Sequence, residues 1–95
     1  MRNIIYIMSC TINDTVYYKV GVCKGDPYKR LKTLQTGNPF TLKLEWWEER
    51  PKANKAENYV HHQLSKYRVR KDGEWFTGID LKKIRITLLL YLDQE

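Results

Sequence analysis

The stretch from Arg2 to Gly21 constrains the fold most, because it holds two consecutive segments that both have strand character. The first, Asn3 to Met8, is almost wholly apolar, which is typical of a strand covered on both faces. The second alternates, so that one face carries valines and a tyrosine while the other carries Tyr17, Lys19 and Gly21. The sequence therefore predicts a hairpin with tyrosine hydroxyls and an ammonium group on one face, an unusual combination for a plain core.

The residues that follow each strand indicate how the chain turns. Ser9 to Thr15 are predicted to form a loop, in which the Asn-Asp pair at 13–14 suits a tight turn. Asp26 and Pro27 provide an N-cap and a first helical residue after the second strand. The helix that they begin is predicted to end at Gly37, since glycine readily adopts the left-handed conformation just beyond a helix.

Three further elements are predicted in the rest of the chain. Residues from Phe40 to Glu48 alternate between apolar and polar side chains, which favours a half-exposed third strand. Pro51 precedes a predicted helix from about Lys52 to Tyr67, with Glu57 at the edge of its apolar stripe. A last helix is predicted from about Asp80 to Asp93.

Size and charge narrow the classes of function. The 95 residues make one domain, 1–95, with room for a single modest core. Lysine and arginine outnumber aspartate and glutamate by 17 to 11, for a net charge of +6. A basic domain of this size favours a nucleic-acid partner over an anionic membrane surface, although the charge could also serve only solubility.

The cysteines and the hydropathy indicate a reducing compartment. Cys10 and Cys23 lie at opposite ends of the predicted hairpin, so we expect no disulfide between them. The sequence has no C-x-x-C spacing for zinc, no signal-peptide pattern and no apolar run of membrane-spanning length. We therefore expect a cytoplasmic protein without a membrane partner.

A basic and aromatic segment after the second helix suits nucleic acid. Positive charges interleaved with aromatic rings offer phosphate contacts and base stacking. The candidate nucleic-acid-binding residues are Arg68, Arg70, Lys71 and Trp75, together with Lys29 in the first helix. The alternative is that Trp75 and Phe76 close the core after a turn at Asp72-Gly73.

The order of the motifs resembles that of the GIY-YIG nuclease superfamily. IYIM stands in the first strand, YKVG in the second, Arg30 early in a helix and Glu57 in a later helix. The segments DPYKRLKTLQT, KAENYVHHQL and GEWF are similar to the subgroup found in phage and viral open reading frames, which includes the meiotically up-regulated-gene-like GIY-YIG domain. The resemblance covers Ile4 to Phe76.

The resemblance implies both a fold and a reaction. The fold would be of the α/β (α+β) class, a small three-stranded antiparallel sheet flanked by helices, and it would cut DNA with one Mg²⁺ or Mn²⁺ ion. In that family a tyrosine of the first motif activates water, a helix arginine contacts the scissile phosphate and a later glutamate binds the metal. Tyr6, Arg30 and Glu57 stand at these places. Two departures are Ile4, where the family has glycine, and Lys19, where it usually has a second tyrosine, so the role of that tyrosine does not transfer directly.

Phosphodiester hydrolysis requires the same kinds of side chain that the resemblance implies. The reaction needs charge neutralisation, a Lewis acid and a deprotonated water. Glu57 offers one hard oxygen ligand, and the Arg30 guanidinium matches two phosphate oxygens. A phenol is a poor base near neutral pH, so Tyr6 would need a neighbouring cation such as Lys19. His61 follows Glu57 by one helical turn and could join the catalytic group.

The predicted function is a metal-dependent DNA endonuclease that hydrolyses phosphodiester bonds. The alternative is a non-catalytic DNA-binding module of the same fold, in which Tyr6 is a core tyrosine and Glu57 an ordinary helix carboxylate. Leu88 to Leu90 widen the apolar stripe of the last helix, which leaves room for a second domain or a homodimer partner.

Overall fold

The computed structural model describes residues 3–71 and 73–94. Within these ranges the chain forms four β-strands and three α-helices, in the order β1 (Asn3–Ile12), β2 (Thr15–Lys24), α1 (Pro27–Gln35), β3 (Lys43–Glu49), α2 (Ala53–Gln63), β4 (Trp75–Phe76) and α3 (Leu81–Leu92). The strands form one antiparallel sheet in the order β3-β1-β2-β4. The predicted α+β class is confirmed, but the predicted three-stranded sheet has an additional strand, because Trp75 and Phe76 pair with Lys19 and Tyr18 of β2.

The β1–β2 hairpin is longer than predicted. The predicted loop from Ser9 to Thr15 is wrong except at its tip, because the ladder continues to the pair Ile12–Thr15. Only Asn13 and Asp14 form the turn, and both have positive φ, 50° and 67°. Two such residues match a tight hairpin turn, and short polar side chains tolerate this conformation better than others.

The two faces of the hairpin have different neighbours. Ile5 and Ile7 lie in the main core beneath α2 and α3. Because successive strand residues point to opposite faces, Tyr6 and Lys19 lie on the other face, where Tyr6 is opposite Gly21. α1 packs against β2 and β3, whereas α2 packs against β1 and β2. The predicted burial of β1 on both faces is confirmed.

The first helix matches its sequence signals, and the third strand begins later than predicted. The Asp26 carboxylate accepts a hydrogen bond from the Tyr28 amide at 2.8 Å, and Gly37 beyond the helix has a φ of 76°. Phe40 lies outside β3, which begins only at Lys43. The Gln35 amide takes the place of strand pairing here, since it donates to the Phe40 carbonyl and accepts from the Leu42 N–H.

The last two helices confirm most of their predicted faces. The predicted helix to Tyr67 ends at Gln63 and is followed by a short 3₁₀ helix, Ser65–Tyr67. The buried side of α2 is formed by Ala53, Ala56 and Val60. In α3, Leu88 is fully buried, so of the predicted surface from Leu88 to Leu90 only the exposed Leu90 and the half-buried Leu89 remain for a partner.

Two properties expected from the sequence also have a structural counterpart. Cys10 and Cys23 lie at opposite ends of the hairpin, facing Tyr17 and Ile4, and no disulfide joins them. Among residues 3–71 and 73–94, none of the helices combines the length and the apolar character needed to cross a bilayer.

Candidate active site

Tyr6 lies against Gly21 inside the sheet. Only 1% of Tyr6 is exposed, although it carries a hydroxyl. A Cβ atom built on Gly21 would lie 2.5 Å from the Tyr6 hydroxyl oxygen and 2.7 Å from Cζ. No side chain larger than hydrogen fits there unless the phenol moves. The glycine of the YKVG motif is therefore explained by close approach to Tyr6.

Arg30 reaches Tyr6 from α1. A side-chain hydrogen bond to Tyr6 raises the pKa of the Arg30 guanidinium, and the charge of Glu74 raises it further, against the effect of desolvation. Arg30 is otherwise exposed and shares with Lys29 an open groove of about 450 Å³ at the junction of β2 and α1. A guanidinium has five N–H donors, so one bond to Tyr6 leaves others for an anion in the groove.

Lys19 forms an ion pair with Glu74 on the same face of the sheet. The pairing of β2 with β4 places them together, because Lys19 lies opposite Trp75. The Lys19 side chain is only 11% exposed, so its charge is largely shielded from water. No signal in the sequence assigned Glu74 to this site, because the two-residue strand that follows it is too short to show a periodicity.

Glu57 is a half-buried carboxylate on α2. Burial raises its pKa to about 6, the charge of Glu74 adds to this increase, and Lys19 acts in the opposite direction. The predicted place of Glu57 at the edge of the apolar stripe is confirmed. The site thus brings the Lys19 ammonium and the carboxylates of Glu57 and Glu74 together in a partly desolvated position, and the Arg30 guanidinium is close enough to Glu74 for their charges to interact.

One ring nitrogen of His61 makes a hydrogen bond within the fold. Its Nε2 lies 3.1 Å from the Val20 carbonyl oxygen, and its ring packs at 5.5 Å from that of Phe76. A carbonyl only accepts, so Nε2 carries the proton, and burial lowers the pKa of the imidazole. His61 therefore offers only Nδ1 to any chemistry at the neighbouring carboxylates.

Glu57 and Glu74 are the carboxylates of the site that could hold a metal ion together with a substrate. Among residues 3–71 and 73–94, no cluster of three histidine, cysteine, aspartate or glutamate side chains could enclose a metal. Mg²⁺ is commonly held by one or two carboxylates, with water and phosphate oxygens completing its shell. Glu57, with Glu74 nearby, would provide such a set, and a bound cation would favour the ionised form of Glu57, whose pKa is raised mainly by burial.

The predicted nucleic-acid-binding residues divide into two groups. Lys29, Arg70 and Lys71 are exposed, as phosphate contacts require. The Arg68 guanidinium instead donates two hydrogen bonds, of 3.0 and 2.6 Å, to the carbonyl oxygen of Gly73, and so holds the chain that leads into β4.

The two aromatic residues of β4 also differ. Phe76 is fully buried in the core, as the alternative reading predicted. Trp75 is half-buried and lines a cavity together with Arg70. The predicted turn at Asp72-Gly73 includes Asp72, which lies outside the described residues.

Of three comparisons with known proteins, the one against protein families found a match. The chain has no significant match among curated proteins or among solved structures. Its sequence matches the T5orf172 domain over residues 3–89, a range that contains every candidate site residue and most of the chain. The protein therefore belongs to the T5orf172 domain family.

Proposed function

We propose that this T5orf172-domain protein is a metal-dependent DNA endonuclease of the GIY-YIG type. The T5orf172 domain is phage-derived and is linked to nuclease-type modules. The observation that carries the proposal is the geometry around Tyr6, whose buried phenol lies against Gly21 with the Arg30 guanidinium beside it. A tyrosine with only a structural role needs no exposed cation beside its hydroxyl, whereas here that guanidinium also lines an open groove.

Tyr6 and Arg30 act together on the substrate. Arg30 binds oxygens of the scissile phosphate through the guanidinium N–H groups that do not face Tyr6, and thereby holds the phosphate beside the phenol. Tyr6 accepts a proton from the attacking water and so acts as the general base of the step. Lys19 adds a second cation on the same face of the hairpin, where it pairs with Met8 two residues beyond Tyr6.

The acidic residues hold the cation that the reaction needs. Glu57, with Glu74 nearby, would bind Mg²⁺ or Mn²⁺, which when bound supplies Lewis-acid stabilisation of charge on the phosphate. Glu74 has a further role, because its ion pair fixes the Lys19 ammonium at the end of β4.

Incubation with labelled single-stranded, duplex and branched DNA tests the proposal, in Mg²⁺, in Mn²⁺ and in EDTA. We expect cleavage of at least one DNA form with either metal and none in EDTA. Arg30→Lys should cleave more slowly than wild type, since lysine keeps the charge but loses the bidentate fork. Intact DNA in every condition, from protein that melts cooperatively, would refute the nuclease.

The second candidate is a DNA-binding module without catalysis. It is favoured by the structural bonds of two candidate residues, Lys19 to Glu74 and Arg68 to Gly73. Such a module would bind DNA through Lys29, Arg70 and the rest of the exposed basic surface, equally well in Mg²⁺ and in EDTA. Metal-independent binding without cleavage would favour it over the enzyme.

A further inference from the structure

We propose that a second cavity of this protein binds one unstacked nucleobase, so that the substrate is single-stranded or locally unpaired DNA. This inference rests on the proposed nuclease for the identity of the strand but concerns a different site. The cavity has a volume of about 320 Å³ and lies at the turn end of the β1–β2 hairpin. Its walls include Cys10, Tyr17, Asn38, Phe40, Arg70 and Trp75.

The walls suit a flat aromatic ligand. Tyr17, Phe40 and Trp75 contribute three rings, and Phe40 is 42% exposed although it is a large apolar side chain. The volume lies at the lower end of the range of ligand pockets, roughly 300–1,000 Å³, which is adequate for a small planar group. Aromatic side chains stack on any base, because every base has a π-face.

Polar groups at the same cavity match the edges and the backbone of a nucleotide. The Arg70 guanidinium can pair with a phosphate or stack on a base. The Asn38 carbonyl oxygen of the side chain accepts from the Phe40 N–H at 2.9 Å, so the amide NH₂ group is the one turned to serve as a donor. An apolar peptide would make no use of the guanidinium, and the net charge of +6 favours a polyanion.

The cavity lies on the same face of the sheet as Tyr6 and Lys19. Cys10 is opposite Tyr17, Met8 is opposite Lys19 and Tyr6 is opposite Gly21, so these pairs succeed one another on that face. At about 3.4 Å per residue, Tyr17 lies roughly 7 Å from Lys19 and roughly 14 Å from Gly21 along β2. A short run of unstacked nucleotides spans this distance. A base in the cavity would therefore belong to the strand whose phosphate contacts Arg30.

An unpaired strand follows from the shape of the cavity. In a duplex the faces of each base are stacked and its Watson–Crick edge is paired, so a base enters an aromatic pocket only after extrusion. Extrusion costs least where the strand is already single or mismatched. The pocket would thus favour single-stranded DNA, or an unpaired position in a duplex, over perfect duplex.

Fluorescence titration in EDTA tests the pocket without any cleavage. A single-stranded oligonucleotide carries 2-aminopurine at successive positions, and we expect stacking to change its fluorescence most at one position. Phe40→Ala should raise the Kd roughly 5- to 150-fold, the factor that corresponds to loss of one stacked base. Phe40→Trp keeps a ring and should retain affinity. Tyr28→Ala is the matched control, because Tyr28 is a 59% exposed aromatic residue that does not line the cavity.

An abasic site at the responsive position provides the second arm. It should weaken binding of wild type about as much as Phe40→Ala does, and the two changes should not add, because they remove the same contact. The pocket is refuted if Phe40→Ala and Tyr28→Ala behave alike, if perfect duplex binds as tightly as single strand, or if the abasic site has no effect. Cleavage with unchanged binding by Phe40→Ala would refute the pocket alone, whereas pocket binding without cleavage in Mg²⁺ would refute the nuclease alone.

Discussion

Gly21→Ala is the most direct test of the geometry around Tyr6. The new methyl carbon would lie 2.5 Å from the hydroxyl oxygen and 2.7 Å from Cζ of Tyr6, closer than such atoms approach in proteins. The phenol is a rigid ring with only 1% exposure, so it has no solvent into which to swing. Either the ring or the β2 backbone must move by roughly half an ångström or more.

The structural cost follows from overpacking. Forcing one extra methyl group into a well-packed interior costs about 1–3 kcal/mol. For a domain of this size that corresponds to a decrease in Tm of roughly 5–20 °C, measurable by circular dichroism. The catalytic cost follows from the displaced hydroxyl, since a misplacement of about 1 Å can slow a reaction ~10²-fold. Both losses should appear in the same variant.

Two controls separate this contact from a general effect of alanine. Gly73→Ala places its Cβ 3.4 Å from the Arg70 Cβ, an ordinary contact, so its Tm should stay close to that of wild type. In a Tyr6→Phe background, Gly21→Ala should cost less, because the atom at 2.5 Å is gone while Cζ at 2.7 Å remains. A Gly21→Ala protein with the Tm and the cleavage rate of wild type would show that the Tyr6 ring does not occupy this position.

Five further substitutions test the remaining roles. Tyr6→Phe should keep the fold and DNA affinity but lower the cleavage rate by ~10²–10⁴, as expected for a lost general base, and wild-type rates would remove the phenol from the mechanism. Arg70→Ala should reduce the slope of the logarithm of the DNA-binding constant against the logarithm of the salt concentration by about 0.7 for single strands. Arg68→Ala should leave this slope unchanged but lower the Tm, because the hydrogen bonds from Arg68 to the chain before β4 are lost. Leu90→Arg should dissociate any homodimer formed through α3 in sedimentation experiments, and an unchanged sedimentation coefficient would leave this helix without a partner role. Glu57→Gln should abolish both cleavage and Mg²⁺ binding in calorimetry while DNA affinity is kept or improved, and retained cleavage would exclude Glu57 as the metal ligand.

The parts of the fold that were predictable are those set by local chemistry. The alternation of β2, the Asp26 cap and Gly37 each act within a few residues, and all appear as expected. The start of β3 was not predictable from alternation, because the Gln35 side chain captures the backbone of the preceding loop. Likewise β4 is too short to have a period, and only its pairing with β2 defines it.

The site shows the same division between local and long-range information. Tyr6, Arg30 and Glu57 were predicted as site residues from the order of the motifs, and the structure places Arg30 beside Tyr6. Glu74 was missed as a site residue because its partner Lys19 is 55 residues away in the chain. The hydrogen bonds from Arg68 to the Gly73 carbonyl were missed for a related reason. A basic residue near a tryptophan has the same sequence pattern whether it contacts DNA or a backbone carbonyl.

The raised pKa of Glu57 makes the stability of the folded protein depend on pH. Because its folded-state pKa is raised from 4.5 to about 6, the folded protein holds this proton more tightly than the unfolded chain does. Its contribution to stability is therefore greatest at low pH and is lost as the pH rises from about 4.5 to about 6. His61 acts in the opposite direction, since its lowered pKa makes the folded state less stable as the pH falls through the range in which the unfolded imidazole is protonated.

The difference between Glu57→Gln and wild type isolates the carboxylate, because His61 is common to both. Below pH 4.5 both side chains are neutral and the Tm values should agree. Above pH 6 the variant should be the more stable by about 1 kcal/mol, once solvent screening of a partly exposed group is allowed for. A structural partner of Lys19 would give the reverse sign, since removing its charge would weaken an ion pair. If Glu57→Gln is the more stable protein above pH 6, the ionised carboxylate is not kept for the stability of the fold, and this is the result that the proposed role of Glu57 as a metal ligand predicts.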